Sequence, residues 1–197
     1  MSDGKIILGI TGPSGAGKGT LAKILVRDYN AQVICADKIA REIIDRKILK
    51  QIRAEFGDEV FDESELNRQK LGKIVFENQQ KRERLNEIIW PPVIEKIKEE
   101  VAKSTANIVA IDVPLLFESS LNEICRKTIA VLASYELRLQ RIINRDKIAE
   151  KDAKLRLNAQ KDDDFYRSRA DFVIMNDHDE QNLSKKFEEW YKLCKNR

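Results

Sequence analysis

A single histidine, His178, and three cysteines, Cys35, Cys125 and Cys194, are all the imidazole and thiol the chain offers to a zinc ion or a disulfide. The cysteines are scattered without C-x-x-C spacing, so neither a zinc site nor a disulfide framework organises the fold, and a reducing cytoplasm fits. No apolar run approaches the length of a membrane span, and the N-terminus, Met1-Ser-Asp-Gly-Lys-Ile-Ile-Leu, has no basic stretch leading into an apolar one. The expectation is a soluble, cytoplasmic protein without a membrane partner. Internal repeats and low-complexity tracts are missing as well. Charge is plentiful but nearly balanced: 36 Lys+Arg stand against 33 Asp+Glu, for a net charge of +3. Such mild basicity suits an anionic small substrate as well as nucleic acid, and does not choose between them. A length of 197 residues is one domain's worth of chain, enough to bury most of its apolar surface without covalent staples.

What is present begins with Gly12-Pro-Ser-Gly-Ala-Gly-Lys18-Gly-Thr20, between the apolar run Ile6 to Ile10 and the helical pattern Leu21 to Val26. Gly12, Gly17 and Lys18 have the spacing G-x-x-x-x-G-K of a phosphate-binding loop, in which glycines let successive backbone N–H groups turn inward around polyphosphate oxygens. Ser14, Gly15, Ala16, Gly17, Gly19 and Thr20 belong to the same cradle, and Lys18 brings a point charge to the terminal phosphates. A helix opening near Gly17 adds unpaired N–H donors and the positive end of its dipole. The bland alternative, a glycine-rich strand-to-helix turn, explains the glycines but not the lysine. One departure concerns magnesium. The position after the lysine, where Ser or Thr usually ligates the ion, is Gly19, a G-K-G-T form that resembles the loop of adenylate kinases. Thr20 is then left to bond a phosphate oxygen, or to meet the metal through water.

Downstream, short apolar runs alternate with helical periodicity. Gln32 to Cys35, Asn107 to Ile111, Thr128 to Ala133 and Ala170 to Met175 read as further strands, making five with the first. Residues 38–56 read as one amphipathic helical stretch, whole or interrupted, with Ile39, Ile43, Ile44, Ile48, Ile52 and Phe56 on its apolar side. A turn-rich connector covers 57–63, and helical patterns over Asn67 to Phe76 and Arg82 to Ile89 run up to an expected break at Trp90-Pro91-Pro92. Val93 to Lys103, Tyr135 to Asp146, Glu150 to Gln160 and Leu183 to Leu193 are the remaining helices. This alternation predicts an α/β fold of the P-loop type: three layers, a five-stranded parallel sheet with helices on both faces, and ligands at the carboxyl ends of the strands. The long helical excursion over 57–103 predicts an acceptor-side pocket.

Four more stretches follow the loop in order: Ile34-Cys-Ala-Asp37-Lys-Ile-Ala-Arg41, Asp112-Val-Pro-Leu-Leu-Phe-Glu118, Arg141-Ile-Ile-Asn-Arg145-Asp146 with Ala159-Gln160 beyond it, and Ala170-Asp171-Phe-Val-Ile-Met-Asn176. With the loop, they resemble the dephospho-coenzyme A kinase family over nearly the whole chain. The resemblance implies ATP-dependent phosphorylation of the ribose 3′-hydroxyl of dephospho-CoA, with magnesium, as the last step of coenzyme A synthesis. It also implies a nucleotide core (about 1–56, 104–134 and 168–197), a helical acceptor subdomain (about 57–103) and a mobile lid (about 135–167). The partner expected is the small-molecule substrate rather than nucleic acid, with the chain a monomer or weak homo-oligomer.

The residues carry this chemistry against plainer roles. Asp37, at a strand's carboxyl end, suits a group that takes the proton of an attacking hydroxyl, or a helix N-cap. Arg41, four residues on, stands on the same helical face and suits a clamp on acceptor phosphates, or a surface charge. Asp112 resembles a carboxylate that holds magnesium through water, or orders a loop. Pro114, Leu115, Leu116 and Phe117 match the segment that lines or supports the acceptor pocket, or are core. Arg138, Arg141 and Arg145, at i, i+3 and i+7, form a guanidinium stripe that meets an anion or pairs with Glu136 and Asp146. Arg141 and Arg145 match the lid's arginines, closing over ATP so that charge on the transferred group is neutralised. Asn176 matches a position near adenine, or makes a turn. The family's usual His-Pro is here Trp90-Pro91. The indole either stacks on the acceptor or fills the core. Two other readings remain open at this stage: a nucleoside monophosphate kinase, and a nucleotide-binding regulatory protein with weak or lost turnover.

Overall fold

The computed structural model describes residues 5–195; Met1–Gly4, where the reading of the N-terminus begins, lie outside them. The chain forms β1 (Ile6–Thr11), α1 (Lys18–Tyr29), β2 (Gln32–Cys35), α2 (Ala36–Glu42), α3 (Arg46–Phe56), β3 (Phe61–Asp62), β4 (Glu65–Leu66), α4 (Arg68–Glu77) and α5 (Gln79–Lys103). It continues with β5 (Ile108–Asp112), β6 (Lys127–Leu132), α6 (Tyr135–Asp146), α7 (Glu150–Asn158), α8 (Asp163–Arg167), β7 (Phe172–Met175) and α9 (Glu180–Lys195).

Five strands pair in parallel in the order β2-β5-β1-β6-β7. From β1 the chain runs out to β2 on one side and returns through β5, then crosses to β6 and β7 on the other. Strand order thus reverses at β1, and the crevice beyond its carboxyl end is where such sheets take ligands. The strands are continuous apolar runs because both faces are covered. Ile129 and Val131 of β6 join Leu8 and Ile10 of β1, Leu21, Ile24 and Leu25 of α1, and Leu183, Phe187 and Trp190 of α9. The alternate residues, Ala130 and Leu132, pack on the opposite face with Tyr166 of α8, and Phe117, Phe165, Val173 and Met175 lie against them. Full burial of each large aliphatic contributes about 2 kcal/mol. α9 is a closing helix on the sheet: Phe172 stacks on Trp190 at 5.2 Å, and Tyr29 meets Phe187 edge-on at 5.0 Å.

The chain divides into two compact units, one comprising residues up to Cys35 with those from Glu100 onward, the other Ala36–Glu99. The second unit has its own core, in which Ile48, Ile52 and Phe56 of α3 meet Val60, Phe61 and, from α4, Leu71 and Val75. That packing accounts for a division at Cys35, whereas the family resemblance implies an acceptor subdomain from about 57. Asp45 splits the 38–56 stretch in two, its side chain accepting from the backbone N–H of Lys47 and Ile48 as the cap of α3. The 57–63 connector holds the first strand of the β3–β4 hairpin, each strand too short to show a period of two. The break expected at Trp90-Pro91-Pro92 does not occur, for α5 runs through both prolines. Two prolines remove two helical hydrogen bonds, but Val93 and Ile97 just beyond are fully buried, and Ile88 and Ile89 pack on the second core. α8 is not visible in the sequence pattern, being one turn of helix. None of the helices in the described residues is long and apolar enough to cross a membrane.

Candidate active site

β1 ends at Thr11 and α1 begins at Lys18, so the loop between them occupies the crevice. Gly12, Gly15 and Gly17 have φ of 132°, 77° and 104°, values that side chains resist. Space forbids side chains there as well. A Cβ on Gly12 would lie 2.1 Å from the Val131 carbonyl oxygen, one on Gly15 2.7 Å from that of Arg138, and one on Gly17 2.0 Å from Asn176 Nδ2. The glycines of the motif are thus required by neighbours as well as by backbone shape. Gly19 differs, since a Cβ there would meet nothing within 4 Å. α1 carries no acidic residue in its first turn, leaving the positive end of its dipole for an anion. Lys18 Nζ donates to the carbonyls of Gly12 at 2.8 Å and Pro13 at 3.2 Å.

The loop is held from α6 and from the end of β7. Arg141 donates through Nη1 to the Gly15 carbonyl at 3.2 Å, and through Nη2 to that of Asn176 at 3.1 Å. Asn176, 5% exposed, donates Nδ2 to the Ala16 carbonyl at 2.8 Å, and its own N–H goes to Leu132 at 2.7 Å. A buried carboxamide needs such partners. The side chain matched to adenine therefore commits its NH₂ to the loop, and Ala16, fully buried, takes part through its backbone alone. Arg145 Nη2 lies 3.5 Å from Ser14 Oγ and 2.9 Å from Asp146, which also accepts from Arg156 at 2.6 Å. The Arg145 hydrogen bond, opposed by burial and supported by Arg156, holds the Asp146 carboxyl below the usual range.

The guanidinium stripe is shorter than its spacing predicts. The backbone of Arg138 abuts Gly15, and its side chain, 12% exposed, approaches Asp163 of α8 at 3.5 Å, so only Arg141 and Arg145 reach the loop. Two polar groups escape sequence reasoning. Gln160 Oε1 accepts from the Ser14 N–H at 2.9 Å, and Asp177 Oδ1 accepts from the Ser134 N–H at 2.7 Å, ahead of α6. Gln160 sits in a motif stretch, but no spacing rule marks a lone glutamine past a helix end.

Asp112 closes β5 opposite Ile10 of β1 and Cys35 of β2, and Thr20 lies in the first turn of α1. Among the described residues no cluster of three or more His, Cys, Asp or Glu could hold a metal. A strand-end carboxylate and a hydroxyl are hard oxygen donors of the kind that magnesium takes. Thr11 Oγ1 donates to the Pro114 carbonyl at 3.2 Å, tying the next segment to β1. Within it Pro114 and Leu115 are half-buried, whereas Leu116 is fully buried with Cδ2 only 2.7 Å from where a Gly9 Cβ would stand. Leu116 is therefore core and not pocket lining: the missing side chain of Gly9 leaves the space it fills. Phe117 meets Phe165 edge-on at 6.2 Å on the face of β6 and β7. Burial, with the charge of Asp171, pushes the Cys125 thiol up to about 12, away from the range of a thiolate nucleophile.

In the second unit, Asp37 and Arg41 lie on α2, both exposed. α2 starts at Ala36, so Asp37 is inside the first turn and not at the cap. Asp45, Asn67 and Asp162, the caps of α3, α4 and α8, each accept a backbone N–H; Asp37 accepts no hydrogen bond from the described residues. Trp90 is half-buried in α5, and His178 is exposed between β7 and α9.

Comparison with known proteins agrees with this arrangement. The model of the dephospho-CoA kinase family matches residues 6–182. A dephospho-CoA kinase of Fusobacterium nucleatum is 40% identical over 185 residues, 93% of this chain and 95% of that protein. A solved Thermus thermophilus structure, 28% identical, superposes with a TM-score of 0.78 over 95% of this chain and 97% of its own. A solved dephospho-CoA kinase from Campylobacter jejuni, 29% identical, gives 0.62 over 94% and 97%. The match runs from the first residue of β1 to the first turn of α9 and takes in every motif that frames the loop: the chain belongs to the dephospho-CoA kinase family.

Proposed function

We propose that this chain transfers the γ-phosphoryl group of ATP to the ribose 3′-hydroxyl of dephospho-CoA, giving coenzyme A. The observation that carries the reading is a P-loop at the sheet's switch point, held by Arg141 and Asn176, in a chain whose family match spans residues 6–182. Family membership favours this reading over a nucleoside monophosphate kinase and over a nucleotide-binding regulatory protein with weak or lost turnover.

The residues divide the work as follows. Backbone N–H groups of the loop and the start of α1 bind the polyphosphate, and Lys18, placed by the Gly12 and Pro13 carbonyls, neutralises the terminal phosphates. Asp112 and Thr20 would hold magnesium, which would supply charge neutralisation when bound. Arg145 and Arg141 oppose charge on the group in transit, in a lid we assign to residues 135–167. Asp37 orients the acceptor hydroxyl and takes its proton, and Arg41 binds acceptor phosphates, with Pro114, Leu115 and Phe117 framing the acceptor. Phosphoryl transfer of this kind rests on positioning and electrostatics more than on covalent chemistry. We also infer a cytoplasmic enzyme, monomeric or weakly self-associating and without a nucleic-acid partner. Light scattering on a sizing column, with and without added RNA, checks this.

The deciding experiment is a coupled ADP-release assay with dephospho-CoA, AMP, CMP and dTMP as acceptors. Turnover with dephospho-CoA alone is expected. Preference for a nucleoside monophosphate overturns the assignment.

A further inference from the structure

We propose that Gln160 is a positioning residue for this reaction: it fixes the Pro13–Ser14 peptide and, through that plane, the place of Lys18. This deepens the kinase reading and rests on it. A peptide group is rigid and planar, so holding one end sets the direction of the other. Here Gln160 Oε1 takes the N–H end of that group, from Ser14, at 2.9 Å. Its carbonyl end, on Pro13, accepts Lys18 Nζ at 3.2 Å and the Ala16 N–H at 3.3 Å. One carboxamide therefore fixes one of the two carbonyls on which the phosphate-directed ammonium rests, the other being that of Gly12 at 2.8 Å, and how the loop's turn closes.

The acceptor is itself well anchored. The Gln160 N–H donates to the Leu157 carbonyl at 3.2 Å, and Leu157 is buried with Leu139, Ile142 and Ala153 between α6 and α7. One turn earlier, Arg156 bonds Asp146, whose other partner, Arg145, reaches Ser14 Oγ. Ser14 is thus met at both its N–H and its hydroxyl, from the end of α7 and from α6. The second half of the turn, Gly15 and Ala16, is held separately by Arg141 and Asn176. The residue type suits the task. A neutral amide oxygen accepts the N–H without setting a negative charge beside a polyphosphate, which a carboxylate would do.

The test compares Gln160→Met, which keeps length and apolar bulk but cannot accept the bond, with Gln160→Glu, which can. Five quantities are read: ADP affinity by titration calorimetry, hydrogen exchange at the Ser14 amide, kcat and KM with dephospho-CoA, and the melting temperature. In Gln160→Met the Ser14 amide should exchange faster. ADP affinity and kcat should each fall about three- to tenfold, the weight of one hydrogen bond. KM for dephospho-CoA and the melting temperature should hold. Gln160→Glu should restore protection of the Ser14 amide while binding ADP more weakly than the parent, because the added charge faces phosphate. The proposal is overturned if Gln160→Met leaves exchange and ADP affinity within about twofold of the parent, a margin smaller than one hydrogen bond. It is equally overturned if ADP and acceptor affinities fall together with the melting temperature, the mark of a structural role. ADP binding is read without the acceptor, so failure to phosphorylate dephospho-CoA would defeat the kinase reading alone and leave the Gln160 result standing.

Discussion

The phosphate loop and the helix α2 carry comparable chemistry in opposite states. Around the loop, polar side chains answer one another: Arg141, Asn176 and Gln160 all end on loop backbone atoms. On α2, Asp37 and Arg41 are exposed, and Asp37 takes no hydrogen bond from the described residues. A polar group already committed to its scaffold shapes a site, whereas one left to solvent is available to a ligand. The loop is a preorganised receptor, in which little must be rearranged when an anion binds. Asp37 acts, in the reading proposed, only when an acceptor arrives.

The largest effect should come from Lys18→Ala. It removes the one loop side chain whose charge goes to phosphate and no core contact, so kcat should fall by about 10³-fold with the fold intact, the upper range for a lost electrostatic contact. The ADP-release assay reads it, with circular dichroism as the folding control. Turnover near that of the parent would break the contrast at its stronger side.

Asp37→Asn tests the other side. An amide keeps the carboxylate's shape but neither its charge nor its capacity to take a proton, so turnover should fall by about 10²-fold, the low end for a general base because the transition state is loose. ATP affinity should be unchanged. A drop of less than about threefold, far below what a base contributes, would leave Asp37 as a first-turn charge favoured by the helix dipole.

Two glycines two residues apart sharpen the comparison in stability. Gly17→Ala must hold φ near 104° and displace Asn176, at a cost of about 1–3 kcal/mol for the backbone alone. Gly19→Ala enters open space inside α1 and should stabilise by up to about 1 kcal/mol through helix propensity. Denaturant melts of both variants, without nucleotide, measure the difference. Equal outcomes would mean that the loop is not clamped as described.

The smallest effect concerns acid. Asp146 has its native pKa depressed by Arg145 and Arg156, so its contribution is complete above the ordinary carboxylate value near 4 and is lost as pH falls through the lower native value. Asp146→Asn should cost about 1 kcal/mol at neutral pH and flatten the decline of stability below about pH 4. An unchanged acid limb would show that the pair does not couple α6 to α7.

Gly12, Gly17 and Lys18 are legible as a phosphate site from spacing alone, and α6 is legible to the residue, because both signals are local: a backbone turn that only glycine makes, and an amphipathic period of 3.6. Trp90-Pro91-Pro92 shows where local rules lose, since two prolines that break an isolated helix are carried through when Val93 and Ile97 beyond them are buried. Leu116 shows the same limit at the site. It shares a motif with Pro114 and Phe117, and only its full burial over Gly9 shows it to be core.

The sequence by itself determined the five strands of the parallel sheet, the loop that binds phosphate and the family, since each is written in residues close together or in motifs of fixed order. The tertiary structure alone decided which polar side chains are held and which are free to act. Asn176 and Gln160 are separated from the loop by 160 and 146 residues of chain, and no period or spacing encodes a hydrogen bond between positions that only the folded sheet and its helices bring together.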